Sequence, residues 1–483
     1  MGKLISNYFF TVLHQLLLML TPFITTPYVA RILKAEGVGT DAYVLSIVQI
    51  FIVFIVLNLP MYGSRQIAIK KNQEEASVEF WSIFTFQLIV SILNLIVYLI
   101  FIQTLSSHKE LYYIHISTLL AYSLDVSWYF IGKEQIKRIA IRNMITKIAG
   151  IFLIFTFVKH SQDLPLYVAI NGGTLLIGQL IMWRPLFKEI KFVKLPIKDM
   201  KEHIRPIFLL FIPQLMIQVY ALINRIVLGN VSGEIQVGYY NQAYKVERIA
   251  IGLFSSMGTV LLPRMASEFS KGNKEQLRRY TDYTLRFVLM ITLPMTLGLM
   301  AISPNFVKWF LGTEFTSVSN ILILMCPDII FVGLANVFGI QILVATQQQN
   351  KYTISITVGA FLSLLINLLL VHSHGSIGTT IALLVAEGVG AVFQMYYARK
   401  YFHFKNFLLL FIKYLILSVF VFIVAVYLGK VLSVPPMLLT VIQLLAGVFV
   451  YLFGLLIVRD PLLFKTVRGF YNRMFLKYDK AQN

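Results

Sequence analysis

Acids, cysteines and long polar stretches are what this chain has least of. Of 483 residues, 22 are Asp or Glu, against 42 Lys and Arg. The one cysteine, Cys326, excludes an intramolecular disulfide and any cysteine metal cluster. The eight histidines are scattered. His372 and His374, two apart on an expected loop, read as a solvated loop before a metal site, and no metal is expected. No GxxxxGKS/T stretch is present, which removes the phosphate loop needed for direct ATP hydrolysis. Charged residues make up only 13% of the chain and hydrophobic ones 58%, with a mean hydropathy of +0.75. No soluble domain of this size has that composition.

What is present is a series of apolar stretches of about twenty residues, the length of a helix that crosses a bilayer. A transmembrane barrel would show short alternating segments instead. The chain therefore reads as an all-α polytopic membrane protein. Fourteen spans are expected, near 7–30, 42–63, 80–104, 111–131, 139–158, 165–186, 206–229, 238–262, 283–303, 317–344, 352–371, 376–398, 407–429 and 437–458. The first is too long for the core of a signal peptide and is expected to stay as a helix, kinked by Pro22 and Pro27. Fourteen crossings put both termini on one side. That side receives 31 of the 42 Lys and Arg, with Arg142, Arg184 and Arg286 in the end turns of spans counted with the loops beside them; the other receives six, and five fall deeper within spans. Such a bias makes both termini cytoplasmic. The net charge of +20 then records topology and attraction to anionic lipid, and no nucleic-acid partner is expected.

Charges inside apolar spans are the informative exceptions, because each costs roughly 2.5–3.5 kcal/mol at mid-bilayer on insertion scales. The stretch Asp125 to Lys147 carries an acid in one span and Arg142, Asn143 and Lys147 in the next. Two readings stay open there: a buried Asp–Lys pair that holds two helices together, or groups that line a water-filled path. In the eighth span Asn241, Lys245 and Arg248 follow i, i+4, i+7 spacing and share one helical face. Arg225 precedes them, while Arg31 and Arg65 stand at the ends of the first two spans. Glu247, Asp328 and Glu387 complete the acids within or beside spans; with Asp125 they are the candidates for ion coupling, against a structural role as protonated, hydrogen-bonded groups.

Several segments are specific in wording: PYVARILKAEGVG, NLPMYGSRQIA, DVSWYFIGKEQIKRIAIRNMITK, VGYYNQAYKVERI, MGTVLLPRMASEFSKGN, FGIQILVATQQQNKY and GSIGTTIALLVAE. In this order, and over nearly the whole chain, they resemble the Wzx-like oligosaccharide flippases of the MOP superfamily. The resemblance implies two pseudo-symmetric six-helix lobes plus two C-terminal helices, and a cavity that opens alternately inward and outward. It also implies undecaprenyl-diphosphate-linked glycan as cargo. The domains expected on it are an N-lobe at 1–187, a cytoplasmic amphipathic link at 188–205, a C-lobe at 206–403, and two further spans with a basic tail at 404–483. Short matches support the two lobes independently: Arg31-Ile32 with Val38-Gly39, and Arg225-Ile226 with Val237-Gly238, follow Pro27 and Pro213 respectively. The family often has an acid where this chain has Asn224, which removes a countercharge beside Arg225.

A diphosphate carries about two negative charges, and Arg offers a planar fork suited to phosphate oxygens. Arg31, Arg65, Lys147, Arg225, Asn241, Lys245 and Arg248 are therefore the expected substrate-binding set. Asn58, Tyr62, Gln214, Gln218, Tyr220 and Tyr244 are candidates for sugar contacts. No catalytic residue and no cofactor is expected; the drive would be a proton or sodium gradient or the membrane potential. The cargo would be a capsular repeat unit or a teichoic acid chain. The protein is expected in the bacterial cytoplasmic membrane as a monomer, with a polymerase or glycosyltransferases as candidate associates. Two other readings stay open. A multidrug-extrusion antiporter exports organic cations and would want an acidic cavity, and a membrane glycan polymerase would want a long external catalytic loop.

Overall fold

The computed structural model describes residues 2–193 and 197–464, and within them every regular element is a helix. Residues 194–196 of the expected link and the basic tail from Lys465 onward lie outside the described residues, as do the side chains of Gln214 and Tyr220. Each expected span has a helical counterpart. Eight described helices are long and apolar enough to cross a membrane, or nine with the pair Thr313–Met325 and Asp328–Val344, bent by 43°. Two of the eight are double. Gly2–Val56 runs on through Pro22 and Pro27 and turns at Lys34 (φ 60°), while Gln349–Ala398 turns at Gly375 (φ 51°). Three more expected spans complete the set. One is the broken run Lys109–Ile114, Ile116–Ser123 and Ser127–Gly132, and the others are Ile197–Ser232 and Glu234–Ser270.

The chain packs as two compact units, residues 1–241 with 370–376, and residues 242–369 with 377–483. In the first unit the broken run is held by side chains that replace the missing helical hydrogen bonds. Gln87 Nε2 donates to the carbonyls of Tyr122, Ser123 and Asp125 at 3.1–3.3 Å, and Trp183 Nε1 donates to that of Leu124 at 3.0 Å. Trp128 Nε1 returns a bond to Gln87 Oε1 at 3.2 Å. Buried backbone carbonyls need such partners, because hydrocarbon offers no water. Around them Phe80, Phe84, Trp128, Tyr129 and Trp183 form an aromatic core. At one end Tyr62 Oη lies 2.7 Å from His203 Nδ1, His203 faces Glu79 at 3.8 Å, and Glu79 binds Lys70 at 3.0 Å. This chain ties Leu59–Ala68, Gln73–Thr104 and Ile197–Ser232 together.

The two segments whose sequences match, around Gly39 and Gly238, pack against each other within this unit. A Cβ on Gly39 would fall 2.0 Å from the Glu234 carbonyl oxygen, so no side chain fits at that crossing. The Glu234 carboxylate then takes a hydrogen bond from Thr40 Oγ1 and lies 2.5 Å from His108 Nε2.

In the second unit Lys274–Phe310 is the spine against which Phe404–Val431 and Pro436–Ile457 lie. The last two spans are not simply lipid-facing. Tyr414, Ser418, Val421 and Ala425 recur at helical spacing on a buried face, as do Gln443, Gly447, Tyr451 and Leu455, while Phe420, Phe449 and Phe453 stay exposed. Polar contacts fix the pair: Tyr451 Oη donates to the Met290 carbonyl at 2.6 Å and Trp309 Nε1 to Thr440 Oγ1 at 3.0 Å. Just past the last span, the fully buried Asp460 accepts Lys413 Nζ at 2.6 Å, Tyr414 Oη at 2.8 Å and the Leu462 amide at 2.9 Å, with Arg286 at 3.9 Å. Burial raises the Asp460 carboxyl, but the bonds from Lys413, Tyr414 and Leu462 outweigh it and hold the group below the usual aspartate value.

A depressed carboxyl stabilises the fold above its unfolded pKa and loses that contribution as pH falls through the lower folded value. Asp460→Ala should therefore destabilise the detergent-solubilised protein by about 2–3 kcal/mol at neutral pH, less than for a fully buried pair because Lys413 and Arg286 keep some exposure. Thermal unfolding by size-exclusion chromatography checks this. The difference between wild type and variant should shrink only below the ordinary aspartate pKa of 3.8. Equal midpoints at neutral pH would show that the network adds nothing.

Candidate transport site

Among the described residues, Arg142 in the first unit and Arg248 in the second lie among the helices, and the two are satisfied differently. In the first unit Arg142, on Ile136–Phe157, is buried. Its Nη2 donates to Ser127 Oγ at 3.2 Å, its Nε to Asn143 Oδ1 at 3.0 Å, and its Nη1 to Gln179 Oε1. Asp125 interacts with it electrostatically, while Asp125 Oδ1 accepts the Ser127 amide at 2.8 Å. The acid in the broken span thus lies near Arg142, and its carboxylate closes a local turn onto the Ser127 amide where the helix restarts. Lys147 lies further along the same helix and is exposed. Arg31 is exposed beside the turn at Lys34, Arg65 is exposed at the end of Leu59–Ala68, and Arg225 is half-buried beside the buried Asn224. Of the candidates for sugar contact, Tyr62 is buried and committed to His203, and Gln218 is exposed.

In the second unit four of the singled-out residues meet. Glu234–Ser270 is helical throughout, so the spacing of Asn241, Lys245 and Arg248 along one face is real. Pro327 interrupts the tenth span, and Asp328 opens the helix that restarts after it. Arg248 Nε lies 3.2 Å from Glu247, and its Nη2 lies 3.6 Å from Asp328. The guanidinium also covers the Tyr244 ring, 4.6 Å from its centroid. Glu247 and Asp328 have no exposed surface, whereas the Arg248 side chain keeps 33%. Glu387 adds a third negative neighbour. Beyond Pro327 the same span continues into a π-helical stretch, Asn336–Val344, where Gln341 Nε2 donates to Asn336 Oδ1 at 3.0 Å.

Glu247 and Asp328 are fully buried against one guanidinium, and among the described residues none of their carboxyl oxygens has a hydrogen-bond partner. Around Arg248 the acids outnumber the cation. The arrangement can hold a proton and present a partly exposed guanidinium, but it contains no nucleophile paired with a base.

Comparison with known proteins gives the same picture of class. The polysaccharide biosynthesis protein family matches residues 4–269, and the lipid II flippase MurJ family matches residues 139–449, each more than half the chain. A putative O-antigen transporter of Escherichia coli (strain K12) is 22% identical over 79% of this chain and 93% of that protein. The capsular polysaccharide biosynthesis protein CapF of Staphylococcus aureus is 22% identical over 83% of this chain and 100% of its own length. Among solved structures, the inward closed conformation of lipid II flippase MurJ superposes with a TM-score of 0.70 at 19% identity, covering 94% of this chain and 99% of that one. An inward-facing multidrug resistance MATE family transporter of the MOP superfamily gives 0.61 at 14% identity, over 81% and 95%. The fold is thus the MOP transporter fold, and the matched families cover the chain from its first span to its last. The chain belongs to the polysaccharide biosynthesis protein family: it is a Wzx-like flippase of the MOP superfamily, a multi-pass membrane transporter of lipid-linked glycan and not an enzyme.

Proposed function

We propose that the cargo is an undecaprenyl-diphosphate-linked glycan, a capsular repeat unit or a teichoic acid chain, carried from the inner to the outer leaflet of a bacterial cytoplasmic membrane by alternating access. The names of the relatives, an O-antigen transporter and a capsular polysaccharide biosynthesis protein, support a surface glycan. On this reading residues 1–187 and 206–403 are the lobes, 188–205 joins them, and 404–483 adds the last two spans and the tail. The protein acts as a monomer. Arg31, Arg65, Lys147, Arg225, Asn241, Lys245 and Arg248 receive the diphosphate and its neighbouring groups. Four cations left in lipid would cost about 10–14 kcal/mol on insertion scales, so a polar path or a ligand must meet them.

The observation that carries the mechanism is Arg248 beside two fully buried carboxyls. A proton shared by Glu247 and Asp328 leaves a single negative charge opposite Arg248. A second proton leaves none, and frees the guanidinium for a phosphate oxygen. Loss of protons restores the acids as competitors for the guanidinium. Glu387 belongs to the same cluster, and Asp125 is the candidate in the other unit.

In proteoliposomes carrying a lipid-linked oligosaccharide, Arg225→Ala should abolish flipping at equal protein level, and Arg225→Lys should restore only part because a point charge cannot make the bidentate contact. Normal flipping by Arg225→Ala would place the headgroup elsewhere. Joint replacement Glu247→Gln and Asp328→Asn should leave residual flipping that ignores the pH gradient; an undiminished pH response would make the pair structural, and a response to sodium alone would replace the proton. Ethidium efflux should be absent from the wild type, since its presence would favour the multidrug-extrusion reading suited to an acidic cluster. For orientation, single cysteines near Lys198 and Lys274 should be protected from impermeant reagents in intact cells, while those near Gly233 and Ser373 react. Labelling of the Lys198 site from outside would sink the topology.

A further inference from the structure

One crevice in the first unit carries cations that neither cluster uses. It lies between the end of Leu59–Ala68 and the turn after Ser127–Gly132, has a volume of about 510 Å3, and is lined by Arg65, Lys70, Lys133 and Glu134. The walls are set by close packing. A Cβ on Gly132 would come within 2.6 Å of the Ser64 carbonyl oxygen, so the turn that carries Lys133 and Glu134 rests directly on the helix that carries Arg65. The turn closes with Glu134 at φ 56° and the Gln135 amide bonded to the Phe130 carbonyl at 2.8 Å.

The charges do not balance within the crevice. Lys70 is already paired with Glu79 at 3.0 Å. Among the described residues neither Arg65 nor Lys133 has an acidic partner within ion-pair distance, and Glu134 is the one acid in the lining. Apolar side chains share the lining: Ile67 and Ala68 belong to it, and so does Ile131, which is 39% exposed. A basic crevice with an apolar rim suits a phosphate attached to a hydrocarbon chain. The phosphate meets Arg65 and Lys133 through charge-assisted bonds, while the chain stays along the rim. A free soluble anion would gain nothing from the rim.

We propose that this crevice binds the phosphate-bearing headgroup of a lipid at the membrane surface, as the place where the diphosphate carrier is first captured. The proposal rests on the reading above in two respects, that this end of both helices faces the cytoplasm and that the cargo is a diphosphate lipid met by Arg65 among others. Glu134 tunes the site: it keeps the crevice from holding the headgroup too tightly to pass it on.

Purified full-length protein in phosphatidylcholine nanodiscs, probed with radiolabelled undecaprenyl diphosphate, tests it. The double variant Arg65→Gln/Lys133→Gln should bind about tenfold or more weakly, as expected for loss of charge-assisted contacts. Arg65→Lys/Lys133→Arg, which keeps both charges and the fold, should stay near wild type, and Glu134→Gln should tighten binding. Undecaprenol, which lacks phosphate, should not compete. Competition by phosphatidylglycerol assigns the crevice to anionic lipid headgroups at large, and competition by the diphosphate lipid alone assigns it to cargo; both keep a phosphate site. Equal binding by wild type and the double Gln variant, or weaker binding by Glu134→Gln, overturns it. The readout is binding, so a wild type that binds but does not flip would count against the proposed function and not against the crevice.

Discussion

A carbonyl or amide left without a partner in hydrocarbon costs several kcal/mol, so a membrane helix can break only where something else completes its hydrogen bonds. The polar groups of this protein sit at such breaks. The fourth span stops at Leu124, and the loss is made good by Gln87 and Trp183 from two neighbouring helices and by the Asp125 carboxylate. The tenth span stops at Pro327, and the restart begins on Asp328. In each case the interruption delivers an acid into the interior beside an arginine. The aromatic packing around Phe80 and Trp128 holds the donors of the first break in register, so the polar feature depends on the apolar core around it.

The two buried arginines illustrate opposite solutions to one problem. Arg142 is surrounded by an amide oxygen from Gln179, a hydroxyl from Ser127 and the Asn143 side chain, with Asp125 nearby. Most of those partners do not titrate, so this site has nearly the same character at any pH. Arg248 instead faces carboxyls that cannot all be ionised against one guanidinium without a large uncompensated charge. A protein that needed only to hold two helices together would be served by the first arrangement. The second stores a charge imbalance that a proton or an anion can change, and it keeps a third of the arginine side chain accessible.

Much of this was legible from residues alone. The spans could be placed because a run of twenty apolar residues has few alternatives, and Asp125, Arg248, Asp328 and Glu387 stood out because each interrupts such a run. The pairing of Glu247 with Asp328 was not legible, since nothing local says that the eighth and tenth spans meet there. Arg142 stood out less, because it follows Lys137 and Arg138 at the very start of its span and can be counted with the basic turn beside it, although the helix carries it inward. Tyr62 offered a hydroxyl suited to sugar, but the helix that bears it turns that hydroxyl onto His203. Asp460 lies just beyond the last apolar run, where an acid looks solvated, and only the packing of three helices encloses it. Pro22 and Pro27 drew attention as breakers, yet the non-helical residue is Lys34, where the first span has ended.

For an anionic cargo the charge balance has a direct consequence on the proposed function. A diphosphate brought to Arg248 meets Glu247 and Asp328 as rivals for the same guanidinium, with Glu387 close behind. In a medium of low dielectric that repulsion is not screened by salt. The anion can therefore settle only when the carboxyls carry protons, and the carboxyls can release those protons cheaply only when the anion has gone. Binding of cargo and binding of protons then stabilise each other, by the reciprocity that any linked pair of equilibria must obey.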